Sequence, residues 1–139
     1  MKVPEEYKKN FESRDKFGSL LAARPVQISE EECVYEYTAV PEHHNPNGML
    51  HGGALFGAMD SAQGAYVHFI VDTENQYATT ATASIRYRRA LINEKVLIYV
   101  RLKEKKKKLL YIIAVAKLPK GEIVAEHEET WMLLSKIKR

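Results

Sequence analysis

The residues with the most chemical potential lie between positions 45 and 60: Asn45, the step His51-Gly52-Gly53, and Asp60. Gly52 and Gly53 open a long helical pattern, and the first backbone N–H groups of a helix have no partner within it. The helix dipole favours negative charge at that end, and glycine lets a ligand carbonyl approach the backbone closely. Unpartnered N–H groups facing a developing oxyanion are what acyl transfer needs. The same glycines also fit a reading in which they only make a tight entry turn. Asp60 falls two turns into the helix, about 100° to one side of the apolar stripe's centre, next to Phe56, Gln63 and Val67. A carboxylate bounded by apolar groups is desolvated, which raises its pKa and makes it a better base. A solvated Asp on an exposed face is the alternative.

Three imidazoles, His43, His44 and His51, fall within nine residues. Zinc could use them, but no helical i, i+4 pair and no nearby cysteine supports a metal site, and adjacent His43 and His44 point apart in an extended chain. No metal is expected. His51 is expected to fix the loop by a hydrogen bond or to lie near the reacting centre. The single cysteine, Cys33, excludes an internal disulfide framework and fits a reducing compartment. It sits in a strand-like run and reads as a packing residue. The run 103–108 is a solvated hairpin tip whose lysines block sheet-to-sheet association, or, with Arg86, Arg88 and Arg89, an attractor for phosphates.

The elements that position these groups make one domain of 139 residues. A net charge of +3 without a concentrated basic face gives no reason to expect nucleic acid as a partner. The N-terminus has no apolar core of a signal peptide, and no apolar run approaches the ~20 residues of a membrane helix. A cytoplasmic location away from membranes is expected. Residues 1–25 read as a helical lead-in with an amphipathic helix near 4–12, punctuated by Gly18 and Pro25. Residues 33–40 read as a strand ended by Pro41, and 43–48 as turn chemistry.

The long helix spans about His51 to Ile70, with Leu55, Met59, Ala62, Tyr66, Phe69 and Ile70 on one stripe and Gly57, Ser61, Gly64 and His68 opposite. Each interior glycine costs roughly 1 kcal/mol against alanine, which a sheet wrapped closely around that side would offset. Four β-type segments follow at 77–88, 95–103, 109–118 and 123–134. Their short connections predict an antiparallel meander. The predicted class is α+β, one long helix on a five- or six-stranded antiparallel sheet over residues 26–134, with a basic tail at 135–139 that frays. One helix covers one sheet face, and a second copy of the chain is the economical cover for the other.

The pattern Asn45-x-x-Gly48-x-x-His51-Gly52-Gly53-x-x-x-x-x-x-Asp60 resembles that of the hotdog-fold acyl-CoA thioesterases of the PaaI type (phenylacetyl-CoA thioesterase-like), in order and spacing. The element order resembles a hotdog over roughly residues 26–134. The resemblance implies that the Gly52 N–H polarises the thioester carbonyl and that Asp60 acts as general base on water or as nucleophile. It implies that Asn45 orients the thioester or the water, and that a hydroxyl on the strand after the helix holds the water. Thr80 is the ungapped match, with Thr79 and Thr82 close by. It further implies active sites shared across a homodimer, the His-Gly-Gly of one subunit facing the Asp of the other, and dimers that pair into tetramers.

The chain departs from the family where Ala90 and Glu94 replace a usual proline and glycine, and where Lys106 replaces a hairpin glycine. These changes touch the loops that receive the CoA nucleotide. Arg89 and Lys107 match positions that are often basic and are carried over as phosphate contacts. Gly53, Phe56, Met59 and Gln63 are the other candidate substrate contacts, and Phe56, Met59, Gln63 and Val67 line an acyl pocket beside the central helix at the dimer seam, with room for a medium-chain or aryl group. No cofactor is expected beyond the coenzyme A of the substrate. A non-catalytic acyl-CoA sensor or carrier, and an acyl-CoA hydratase using His51 with Asp60, are the alternatives.

Overall fold

In a computed structural model of the chain, residues 3–7 and 14–136 are described. The elements run α1 (Glu5–Tyr7), α2 (Lys16–Leu20), β1 (Arg24–Ile28), β2 (Cys33–Thr38), α3 (Gly52–Ile70), β3 (Gln76–Tyr87), β4 (Lys95–Lys106), β5 (Leu109–Lys117) and β6 (Ile123–Ser135). The strands form one antiparallel sheet in the order β1-β2-β4-β5-β6-β3. It curls around α3, which touches all six strands. This is the helix-in-sheet arrangement that the resemblance implies.

Alternation sets the curl. The inward residues of β4 (Val96, Ile98, Val100) and β5 (Ile112, Ala114, Ala116) are sealed from solvent, while their outward neighbours are half-exposed. Cys33 is fully buried in β2, and burial pushes its thiol up to about 12, so it packs rather than reacts. Among the described residues no helix is long and apolar enough to cross a membrane.

Three expectations need correction. First, β3 does not continue the meander. It crosses to the far edge and pairs with β6, Thr80 opposite Trp131, so of the four expected strands only β4, β5 and β6 are joined as sequential hairpins. The connection at 88–94 is no tight turn: Leu91 O accepts from Leu50 N at 2.8 Å, which ties it to the loop before α3. Second, β1 adds a strand inside and beyond the lead-in assigned to residues 1–25. Pro25 lies within it rather than ending anything, which is allowed because β1 is an edge strand and Pro has no N–H to donate. Third, β4 runs on to Lys106, leaving Lys107 and Lys108 for the turn, with Lys107 at φ 57. The helix expected near 4–12 is described only at Glu5–Tyr7; residues 8–13 lie outside the described part, as do 137–139 of the basic tail.

The single apolar stripe expected for α3 is also too narrow. Gly57, Ala58, Ser61, Ala62, Gln63 and Ala65 are all buried along with Leu55, Met59, Tyr66 and Val67. The sheet does not cover every side. A Cβ at Gly57 would stand 2.6 Å from Phe17 and 3.3 Å from Leu21, so the α2 segment fills that flank. Gly64 faces Trp131 of β6, 3.6 Å from where its Cβ would lie. Small residues let the sheet and α2 close on the helix axis. Ala62 is fully buried, and Ala62→Leu is therefore expected to destabilise the fold by about 1–3 kcal/mol through overpacking, despite its good helix propensity. The check is the urea midpoint.

Candidate active site

The loop before α3 is built around Asn45. Its Oδ1 accepts from Asn47 N at 2.9 Å and Met49 N at 3.2 Å, and its own N–H donates to Met49 O at 2.7 Å. These bonds occupy the amide oxygen and leave the Nδ2 group as the donor available to a ligand. His51 then caps α3: its Nδ1 accepts from Gly53 N at 2.8 Å, and its carbonyl accepts from Ala54 N at 3.0 Å. Because Nδ1 accepts, a neutral His51 carries its proton on Nε2. The Gly53 N–H is thereby taken. The Gly52 N–H has no acceptor among the described residues, so of the two glycines Gly52 keeps a donor at the positive end of the helix.

This donor opens onto a cleft of about 370 Å³ lined by Asn45, His51, Gly52, Tyr87, Arg88 and Arg89, among others. The Tyr87 hydroxyl donates to Gly52 O at 2.7 Å and would lie 2.9 Å from a Cβ at Gly52, so residue 52 has space for hydrogen only. Arg89 is present as expected, but it is paired with Glu94 at 2.7 Å and Glu122 at 3.2 Å, and Arg88 with Glu126 at 2.8 Å. Lys107 sits at the β4–β5 tip, outside this cleft.

The other two imidazoles hold the loop. His43 Nδ1 lies 2.7 Å from the Tyr37 hydroxyl, and His44 Nε2 is 2.8 Å from Ile92 O.

Asp60 lies elsewhere. Eight residues of helix at 1.5 Å each put it about 12 Å along the axis from Gly52, and it does not line the cleft. Its surroundings are the part that sequence reasoning missed. From β6, the Glu129 carboxyl faces the Asp60 carboxyl, and His127 stands nearby. Burial and the Glu129 carboxylate, with a smaller push from Asp15 at the start of α2, raise Asp60 to about 7. Burial also raises Glu129 and lowers His127 to about 4. Thr80 faces Glu129 rather than open solvent. Phe56 is half-buried and packs edge-on against His127, with centroids 4.9 Å apart.

Met59 and Gln63, expected along an acyl pocket, are instead fully buried within this chain's core. Gln63 serves the buried polar groups: its Oε1 accepts from Trp131 Nε1 at 2.9 Å, and its Nε2 lies 3.3 Å from Ile112 O and 3.2 Å from His127 Nδ1. His127 and Glu129 escape a sequence reading because β6 carries polar residues on both faces. The inward set Ala125, His127, Glu129, Trp131 and Leu133 carries two ionisable groups, as the outward set does with Glu126 and Glu128.

Residues 47–125, more than half of the chain, match the family model described as the thioesterase superfamily. No curated protein sequence matches significantly. Among solved structures, a mutant thioesterase from Pseudomonas aeruginosa superposes with TM-score 0.87 at 19% identity, covering 97% of each chain. A thioesterase from Haemophilus influenzae gives TM-score 0.87 at 12% identity, over 99% of this chain and 96% of that one. The PaaI protein of E. coli, from the phenylacetic acid degradation operon, gives 0.82 at 15% identity, over 93% and 91%. At these identities the likeness concerns the fold.

The raised pKa of Asp60 carries a sign for stability. A carboxyl that holds its proton up to about 7 when folded, against ~3.9 when unfolded, stabilises the fold fully below the unfolded value. That contribution is lost as pH rises through the folded one. Asp60→Asn has no such dependence. Its stability relative to wild type is expected to climb between about pH 4 and about pH 7 and then level off. Urea midpoints of both proteins across that range check this.

Proposed function

Because the chain belongs to the thioesterase superfamily, we propose that it is a PaaI-type acyl-CoA thioesterase that hydrolyses a medium-chain or aryl acyl-CoA to the free acid and coenzyme A. The observation that carries this reading is the Gly52 N–H, unpaired at the start of α3 and opening onto the cleft. There it can take the thioester oxygen and stabilise the charge that develops on it. Asn45 Nδ2 and His51 Nε2–H are further donors at the rim. Asp60, ionised above about 7, takes a proton from water or attacks the carbonyl carbon. The electron pair of the C–S bond leaves with sulfur, and the thiolate is then protonated. Neither a metal nor a redox cofactor takes part.

About 12 Å of helix between Gly52 and Asp60 is too far for both to act on one carbonyl, so each site needs the Gly52 of one subunit and the Asp60 of another. The β3 edge supports this. It spans twelve residues, is largely exposed, and has β6 on one side only among the described residues. Long open edges invite pairing with another chain, and β3 against the β3 of a second copy gives a homodimer with two shared sites. The outward, half-exposed Tyr99, Tyr111, Ile113 and Val115 suit face-to-face packing of two such dimers.

Arg88 and Arg89 border the cleft and would meet the CoA phosphates by exchanging their present carboxylate partners. The hydratase alternative needs an imidazole presented to substrate beside Asp60. His127 is fully buried and does not meet that need.

Release of free thiol from a panel of short, medium, long and aromatic acyl-CoAs tests the reaction. Asp60→Ala is expected to lower kcat by about 10²-fold or more with little change in KM. Tight acyl-CoA binding without turnover in the wild type would replace the enzyme with a sensor or carrier. Shared sites have their own test. Inactive Asp60→Ala and Gly52→Val chains, refolded together, should recover about a quarter of the wild-type rate, since half the dimers are mixed and each has one intact site.

A further inference from the structure

The buried polar chain behind Asp60 has a direction that its hydrogen bonds determine. The Trp131 indole can only donate, so the Gln63 atom 2.9 Å away is its carbonyl oxygen. The Ile112 carbonyl can only accept, so the Gln63 atom near it is the amide nitrogen. The two anchors agree. The second amide hydrogen therefore points at His127 Nδ1, 3.2 Å away, and that nitrogen must offer a lone pair. A neutral His127 then carries its proton on Nε2, which lies 3.1 Å from Glu129 Oε2. The side chains of His127 and Glu129 are both completely shielded from solvent.

The approach of His127 to Glu129 makes no hydrogen bond: His127 Nε2 and both Glu129 oxygens are buried without a hydrogen-bond partner among the described residues, and a buried unpaired charge is costly. One proton placed between Asp60 and Glu129 gives one of these oxygens a partner and leaves the pair one negative charge instead of two. We propose that Asp60 does not act alone: Asp60 and Glu129 form a carboxyl pair that shares one proton, with Gln63 and Trp131 holding His127 in the tautomer that faces Glu129.

The pair deepens the thioesterase reading and rests on it for its role in turnover. From the form of the pair that has released its proton, Asp60 takes one proton from water as the water oxygen bonds to the thioester carbon. Glu129, facing Asp60, shares that proton while the C–S bond breaks with its electron pair going to sulfur. The proton then passes from Asp60 to the thiolate, and acid and thiol leave. Glu129 is thus a positioning residue. Burial first, and then the Glu129 charge, make Asp60 basic enough to deprotonate water, and the groups facing Asp60 are Glu129 and His127 from β6 and Asp15 from the start of α2. Facing Glu129 are Asp60, His127, and the side chains of Thr80 and Trp131.

The test reads the carboxyl directly. In protein labelled with ¹³C at Asp and Glu side-chain carboxyls, the Asp60 resonance, assigned by its loss in Asp60→Asn, is followed against pH in wild type and in Glu129→Gln. The proposal expects the Asp60 midpoint to fall by about one pH unit or more in Glu129→Gln. The acid limb of kcat/KM should move the same way, and kcat should drop about tenfold or more with KM little changed. Glu129→Asp, which keeps the charge but withdraws it, should fall between the two. In the wild type, the Asp60 and Glu129 carboxyls should both respond across the same transitions, as coupled sites do.

An Asp60 midpoint that is unmoved in Glu129→Gln overturns the pair, whatever the activity. If Glu129→Gln does not fold, independent single-step titrations of the two carboxyls in the wild type overturn it instead. A shifted midpoint in a protein that hydrolyses no acyl-CoA supports the pair and overturns the thioesterase reading.

Discussion

A helix enclosed on nearly every side is the constraint from which the rest of this molecule follows. α3 meets all six strands and, at Gly57, the α2 segment as well. Such a helix cannot present the usual alternation of a wet and a dry face. It needs alanine and glycine where neighbours press closest, as at Gly57, Ala58, Ala62 and Ala65. It also needs an internal partner for every polar side chain, because water is not available to supply one. Gln63 meets that demand completely, with one acceptor bond and two donor contacts. Asp60 meets it only by facing another carboxyl.

The candidate site residues sit at the two places where this enclosure fails. At the N-terminus, α3 emerges from the sheet, and its first N–H groups are left over by the geometry of any helix. His51 takes one of them, and Gly52 retains its own. Two turns further on, Asp60 sits between the buried polar cluster on β6 and the half-exposed flank of the helix. Desolvation and a like charge push its pKa upward together, which is the pattern of a group prepared to exchange a proton near neutrality.

The basic residues divide differently from what their clustering suggests. Arg88 and Arg89 are tied to Glu126, Glu94 and Glu122, which holds the 88–94 connection against β6 and the turn before it, while the Leu50–Leu91 and His44–Ile92 bonds hold it against the loop that carries Asn45 and His51. Exposed pairs of this kind contribute little stability each, so their effect is mainly one of geometry around the cleft. Lys103 lies 3.5 Å from Glu128, and the lysine-rich tip projects from the opposite end of β4, away from the Gly52 donor.

Local signals in the chain sufficed for the helix and its chemistry. A proline-free run with helical spacing, a His-Gly-Gly opening and an Asp two turns inside are all short-range patterns, and they specify α3, its cap and the position of Asp60. The alternation and turns after residue 93 likewise determine β4, β5 and β6. What only the tertiary structure decided depends on which distant segments meet. β3 crosses to pair with β6, the 88–94 connection that makes the crossing is anchored to the loop before α3, and no neighbouring residue encodes that choice. That crossing brings Thr80 opposite Trp131 and places β6 along α3. His127 and Glu129, 67 and 69 positions after Asp60 in the chain, thereby become its neighbours. Strand parity alone leaves the two faces of β6 equivalent, and the buried carboxyl pair exists only once packing against α3 has made them different.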